Sequence, residues 1–224
     1  MKTSADYCAV FDLDGTVLDT LDDLADSVNH ALLKNGFPPR TRSEIRAFVG
    51  NGIRNLIKRS LPEGAANEFA DTVLADFRAH YALHCSDKTH PYAGMTALLG
   101  ELREAGIKTA LVSNKTDSAV QSLAVQYFDG LFDHVAGEKE NVPRKPAPDP
   151  VNNALSSLGI SRENAVYIGD SEVDVLTAKN AELPCICVLW GFRDEDLLRE
   201  SGAGLTAHTA AELIEQIKDV LKYK

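Results

Sequence analysis

Cysteine is scarce in this chain of 224 residues: there are four, with no CxxC pair. That removes a disulfide scaffold from consideration. No stretch approaches the roughly 20 consecutive apolar residues of a membrane span. The opening MKTSADYC lacks the apolar core of a secretory signal. A cytoplasmic protein with reduced thiols is expected, with no membrane partner. Positive charge is also short. Lys and Arg number 23 against 33 Asp and Glu, a net charge of −10. A general nucleic-acid binder carries the opposite sign. A small anionic substrate stays compatible, because a bound cation and a few basic side chains reverse the field locally. The hydrophobic fraction of 44% and charged fraction of 25% are ordinary for a globular chain.

What the sequence does have is a series of short apolar runs separated by helical segments. Tyr7–Phe11, Ile107–Val112, Ala165–Ile168 and Cys185–Leu189 are the strong runs, and Leu131–Val135 adds a weaker one. Each is too short for a helix and lacks strict alternation, as expected of strands buried on both faces of a parallel sheet. Helices are predicted over 95–105, 117–126, 150–158, 174–181 and 210–222, with Ala105-Gly106 and Leu158-Gly159 as stops. The alternation implies a doubly wound, Rossmann-like α/β core. Cys185 and Cys187, two apart, share one strand face as buried thiols.

One interval breaks the pattern. Roughly 95 residues separate the first two strong strands, far beyond a crossover. Helical periodicity runs over 18–35, 43–48, 53–61 and 65–84, punctuated by turn signals at 36–39, 50–52 and 61–64. An inserted helical bundle over 18–88 is predicted, leaving a core of 1–17 and 89–224.

Polar residues follow three of the apolar runs: Asp12-Leu13-Asp14-Gly15-Thr16, Ser113-Asn114-Lys115 and Gly169-Asp170-Ser171-Glu172-Val173-Asp174. Parallel sheets bind ligands at the carboxyl ends of their strands. Helix capping alone accounts for single Asp and Ser residues there. It accounts poorly for Asp12 and Asp14, since two carboxylates two apart on a strand repel and call for a cation.

DLDGTVLDT resembles the first motif of the haloacid-dehalogenase-like phosphohydrolases. Ser113 matches the second motif, Lys145 in RKPAPDP the third and GDSEVD the fourth, all in order. VGNGI (49–53), HCSDKTHPYAGM (84–95), VPRKPAPDP (142–150) and VLWGF (188–192) resemble phosphoglycolate phosphatases in particular. The inserted helices look like the helical cap of that superfamily. The resemblance implies hydrolysis of a phosphomonoester through an aspartyl-phosphate, with 2-phosphoglycolate as the expected substrate. Asp12 would be the nucleophile and Asp14 the acid and base. Mg²⁺ would be held by the Asp12 carboxylate, the Asp14 backbone carbonyl and the Asp170 carboxylate. Ser113, Lys145, Asn114 and the backbone N–H groups of Leu13–Gly15 would bind the phosphoryl group. Thr16 would bond Asp12 or Asp14, or cap the next helix. Asp174 would either orient waters on the metal or supply charge at a helix N-terminus.

Other readings remain beside these. A pyrophosphatase or a sugar or nucleotide monophosphatase shares all four motifs, and a non-catalytic binder could share the fold. Mutases of this type add a cap histidine near position 24, where this chain has Leu24, which favours hydrolysis. Asn51 and Arg54 open a predicted helix and either meet the substrate's carboxylate or lie on a solvated face. His80 and His84 are spaced i, i+4, with surface or packing roles expected. Trp190 and Phe192 read as packing residues. A monomer or homodimer acting on a small phosphorylated substrate is expected.

Overall fold

The computed structural model describes residues 6–63 and 68–222. Strand β1 (Cys8–Phe11) is apolar throughout and buried at every position. Such a strand can only lie between two covered faces. It is followed by β2 (Leu18–Asp19), α1 (Leu21–Lys34), α2 (Arg42–Phe48), α3 (Ile53–Ser60), α4 (Ala70–His84), β3 (His90–Pro91) and α5 (Met95–Glu104). Then come β4 (Lys108–Thr116), α6 (Asp117–Phe128), β5 (His134–Glu138), α7 (Asp149–Leu158), β6 (Ala165–Gly169) and α8 (Glu172–Asn180). The chain closes with β7 (Cys185–Val188), α9 (Glu195–Glu200), β8 (Leu205–Ala207) and α10 (Ala210–Leu221).

Six of the strands form one sheet in the order β5-β4-β1-β6-β7-β8, and every neighbouring pair is parallel. The chain moves outward from β1 to β4 and β5, then returns to β6 on the other side of β1. The strand order therefore reverses at β1, and the crevice beyond its carboxyl end is where such sheets bind ligands. On one face Cys8, Val10, Ala110, Val112 and Tyr167 pack with Val151, Ala154 and Leu155 of α7 and Ala178 of α8. Successive residues of a strand face opposite ways, so Ala9 and Phe11, also fully buried, belong to the other face. Burying a side chain such as Phe11 contributes about 1.5–3 kcal/mol, and it also fixes where the next residue, Asp12, begins.

Two compact units are present: Met1–Leu18 with Pro91–Lys224, and Asp19–His90. In the second, α1 packs along α4. Leu24, Val28, Leu32, Ile45, Leu56, Val73 and Phe77 are all buried there. Helix α2 starts at a capping box, in which Thr41 and Glu44 satisfy each other's backbone N–H groups. Asp23, 1% exposed, accepts hydrogen bonds from the backbone N–H of Lys88 at 3.0 Å and from the N–H and hydroxyl of Thr89 at 2.8 Å each. The chain leaving α4 is thereby tied to α1.

Several boundaries differ from expectation. The first helix starts at Leu21 rather than Leu18, because Leu18–Asp19 is a strand paired with His90–Pro91. The weak run at 131–135 is a turn leading into β5, which starts only at His134. Residues 65–67 of the expected fourth helix, and Gly64 of the turn before it, lie outside the described residues, and α4 begins at Ala70. The Cys185 and Cys187 sulfurs lie 3.9 Å apart as free thiols. His30 stacks on His80 and His80 on His84, with ring centroids 4.1 and 4.3 Å apart. Among the described residues no helix is long and apolar enough to cross a membrane.

Candidate active site

The Asp12 N–H donates to the Ile168 carbonyl at 2.9 Å, so the sheet ladder holds this residue just past the end of β1. The chain then folds back on itself. The Leu13 carbonyl accepts from the N–H groups of Thr16, Val17 and Leu18, and the Gly15 N–H donates to the Leu18 carbonyl at 2.9 Å. Gly15 has φ +86°, and a Cβ there would lie 2.2 Å from Asp170 Oδ2. Only glycine allows both the turn and the close approach. The Gly15 N–H, expected as a phosphoryl donor, here donates within the turn. Leu13 itself is fully buried.

Strand β4 outruns β1. Phe11 pairs with Leu111, yet β4 continues to Thr116, and its pairing with β5 shifts register between Val112 and Thr116, so Ser113, Asn114 and Lys115 lie past the end of β1 in an irregular stretch of the strand. All three are buried. The Ser113 hydroxyl accepts from the Lys115 N–H at 3.2 Å. The Asn114 amide donates to the Lys145 carbonyl at 3.0 Å and so fixes the loop that carries this lysine. Lys145 Nζ lies 2.7 Å from Asp12 Oδ1 and 2.9 Å from Asp174 Oδ1, and it donates to the Tyr167 hydroxyl at 2.9 Å.

Strand β6 delivers Asp170, and α8 begins two residues later. Ser171 caps that helix reciprocally with Asp174. Asp174 Oδ2 accepts from the Ser171 hydroxyl at 2.6 Å and the Ser171 N–H at 3.1 Å. Its Oδ1 accepts from Lys145 and Tyr167 at 2.9 Å each. Asp174 is thus both a helix-terminal carboxylate and a partner of the buried lysine. The Thr16 hydroxyl points to Asp170 Oδ1 at 3.4 Å. It bonds neither Asp12 nor Asp14, because the turn after Leu13 aims it at the neighbouring strand. It caps no helix either, since α1 starts after Thr20.

Sequence reasoning missed four contributors. Lys115 Nζ contacts Asp14 Oδ1 at 2.7 Å, with side-chain exposures of 3% and 16%. Its place directly after Ser113-Asn114, at the end of an apolar run, was the available signal. Tyr167, the sole hydroxyl in an otherwise apolar strand, needed a buried partner. The Phe192 N–H donates to Asp170 Oδ2 at 2.6 Å, and Trp190 Nε1 donates to the Thr16 carbonyl at 3.0 Å. Between those two residues, a Cβ on Gly191 would lie 2.3 Å from Asp170 Cβ and 2.5 Å from the Gly15 carbonyl oxygen. Gly191→Ala is therefore expected to cost about 1–3 kcal/mol by overpacking and to displace Asp170. Urea denaturation reads the first effect. Wild-type stability in this variant would show that the loop yields freely.

The electrostatics follow from burial. Desolvation pushes the Asp12 carboxyl up to about 7 against the pull of Lys145. It pushes Asp170 well above the carboxylate range, reinforced by the charges of Asp174 and Asp12. Burial alone would lower Lys145, but Asp12 and Asp174 hold it above the ordinary lysine value. Asp12, Asp170 and Asp174 each offer an oxygen within 4.8 Å of the others. With Asp14, these carboxylates outnumber the ammonium groups of Lys115 and Lys145 by two. An all-oxygen donor set whose crowded carboxylates ionise only against desolvation and one another's charge fits a hard divalent cation, which supplies the missing positive charge. The Asp14 carboxylate is outside this trio and paired with Lys115. Asn51 and Arg54 belong to the helical unit. Arg54 Nη1 pairs there with Asp71 at 2.6 Å, and the Asn51 carbonyl accepts from Asn55 at 3.0 Å.

Comparison with known proteins supplies the context for this geometry. A profile of the haloacid dehalogenase-like hydrolases matches residues 9–188. The phosphoglycolate phosphatase of Mesorhizobium japonicum is 31% identical over 219 residues, covering 95% of this chain and 96% of the relative. That of Rhodospirillum rubrum is 34% identical, covering 83% and 80%. A crystal structure from Lactobacillus delbrueckii subsp. bulgaricus, described as a candidate phosphoglycolate phosphatase, is 38% identical with a TM-score of 0.91. It covers 95% of this chain and 98% of that one. The matched span takes in the strand ends that carry Asp12, Ser113 and Asp170 and the loop that carries Lys145, and the chain belongs to the haloacid dehalogenase-like hydrolase family.

Proposed function

We propose that this protein is a Mg²⁺-dependent phosphatase that hydrolyses 2-phosphoglycolate to glycolate and phosphate through Asp12. The observation that carries the reading is the Asp12 carboxylate at the tip of β1, 2.7 Å from a buried ammonium and clustered with Asp170 and Asp174. The names of the full-length relatives support the substrate.

An Asp12 oxygen attacks phosphorus in line with the departing ester oxygen, and the bond from phosphorus to that oxygen breaks. Asp14, having first taken up a proton from solvent, gives that proton to the leaving alkoxide. It then takes a proton from the water that attacks phosphorus and releases Asp12. Lys145 places fixed positive charge where oxyanion charge grows, and the Ser113 hydroxyl binds a phosphoryl oxygen. Asp12, the Asp14 backbone carbonyl and Asp170 would hold Mg²⁺, with Asp174 orienting its waters. When bound, the cation neutralises the clustered carboxylates and polarises the phosphoryl group. The helical segment 18–88 serves as the cap, and Asn51 and Arg54 are its residues for the substrate carboxylate. A guanidinium pairs with a carboxylate bidentately, so Arg54 would exchange Asp71 for the substrate.

Phosphate release from 2-phosphoglycolate and pyrophosphate, with Mg²⁺ and after chelation, tests the reading. The expected result is Mg²⁺-dependent turnover of 2-phosphoglycolate well above that of pyrophosphate, which lacks a carboxylate. Faster pyrophosphate hydrolysis would reassign the substrate. No release from any monoester would end the enzymatic reading.

A further inference from the structure

The two aspartates of the first motif do not share a counter-ion. Lys145 contacts Asp12, whereas Asp14 is met by a different lysine, Lys115, from 101 residues along the chain. Lys115 does not come from a loop. It lies on β4 beside Thr116, which pairs with Glu138 of β5 beyond a shift of register, and its N–H is held by the Ser113 hydroxyl. Its side chain is 3% exposed. A lysine gives up much rotamer freedom and hydration to be buried, and here its ammonium sits 2.7 Å from one oxygen of Asp14.

We propose that Lys115 is a positioning residue that aims the Asp14 carboxylate at the leaving oxygen, and so governs protonation of the departing group. The inference rests on the reading of Asp14 as the acid given above. A strand-borne ammonium 2.7 Å from Oδ1 holds that oxygen of the carboxylate in a set direction. A misalignment of about 1 Å in such a group lowers rates by about 10²-fold. The loss falls where a proton is needed. An alkoxide leaving group, as in 2-phosphoglycolate, requires protonation as it departs. The p-nitrophenolate ion is a weak base and departs nearly unaided.

The test compares kcat/KM, which reports the steps through phosphoryl transfer to Asp12, on 2-phosphoglycolate and p-nitrophenyl phosphate. Lys115→Met is expected to lower the value on 2-phosphoglycolate by about 10²-fold and on p-nitrophenyl phosphate by only about threefold. Lys115→Arg, which keeps the charge, gives the same ordering with a smaller loss and serves if the methionine variant folds poorly. Adding Lys115→Met to Asp14→Asn costs little further on 2-phosphoglycolate, because the two substitutions act on one step. Equal losses on both substrates, or additive losses in the double variant, would make Lys115 a structural ion-pair partner and overturn the inference. A wild-type protein inactive on both substrates would instead end the parent reading.

Discussion

Asp12→Asn lowers turnover of 2-phosphoglycolate by at least about 10⁴-fold, the scale of losing a covalent nucleophile. Amide and carboxylate have nearly the same shape, so β1 and its buried neighbours are undisturbed. Two further readouts separate chemistry from folding. Intact-protein mass spectrometry of a rapidly quenched wild-type reaction shows a phosphoryl adduct on the Asp12 peptide, and the variant shows none. The second readout is stability against pH in chelator. In the folded protein Asp12 takes up its proton near 7, against an ordinary 3.8. A raised folded-state value stabilises fully below pH 3.8 and is lost as pH rises through about 7. The wild type therefore weakens over that window, and Asp12→Asn weakens less because an amide does not ionise. Some decline remains in the variant, since Asp170 is shifted in the same direction. Residual turnover above about one part in a hundred would remove Asp12 from the nucleophile role.

Lys145→Ala is the second large effect. It deletes the common partner of Asp12, Asp174 and the Tyr167 hydroxyl. Breaking a buried pair by removing one member costs about 3–5 kcal/mol, because the other charge stays behind. The loss appears as a lower urea midpoint. Mg²⁺ restores part of it, since a cation that binds only the folded state stabilises by mass action and supplies the charge the lysine gave. Loss of oxyanion stabilisation lowers kcat/KM by about 10²–10³-fold even with Mg²⁺ present. A variant within about 1 kcal/mol of wild type in chelator would mean that water reaches these carboxylates far more than their burial indicates.

Much of this architecture was readable before any coordinates, and the reason is local. Apolar strands buried on both faces stand out as uninterrupted runs, and the residues that follow them must lie at strand ends. Asp12, Ser113 and Asp170 could be placed in that way. What could not be read depends on contacts between distant segments. Nothing near Asp14 announces Lys115. Nothing in VLWGF says that its glycine must make room for Asp170. The hydroxyl of Thr16 sits beside two aspartates in sequence but reaches a third, because the turn after Leu13 rotates it away. The strand at Leu18–Asp19 was absorbed into the helical periodicity that follows, since two residues carry no period of their own. Asp23 looked like any acid in a first helical turn, and its burial depends on Lys88 and Thr89 arriving opposite.

The irregularity in β4 is itself part of what the strand tip does. From Val112 to Thr116 the pairing partners on β5 advance only from Ala136 to Glu138, so this stretch of β4 carries surplus chain. The surplus falls on Ser113, Asn114 and Lys115, whose hydrogen bonds go to the local backbone, the lysine loop and Asp14. A bulge re-aims side chains that an even pleat would send to alternate faces. Deleting chain here to restore an even ladder would mend the sheet and withdraw these contacts together, so at this edge a more regular strand would be a less useful one.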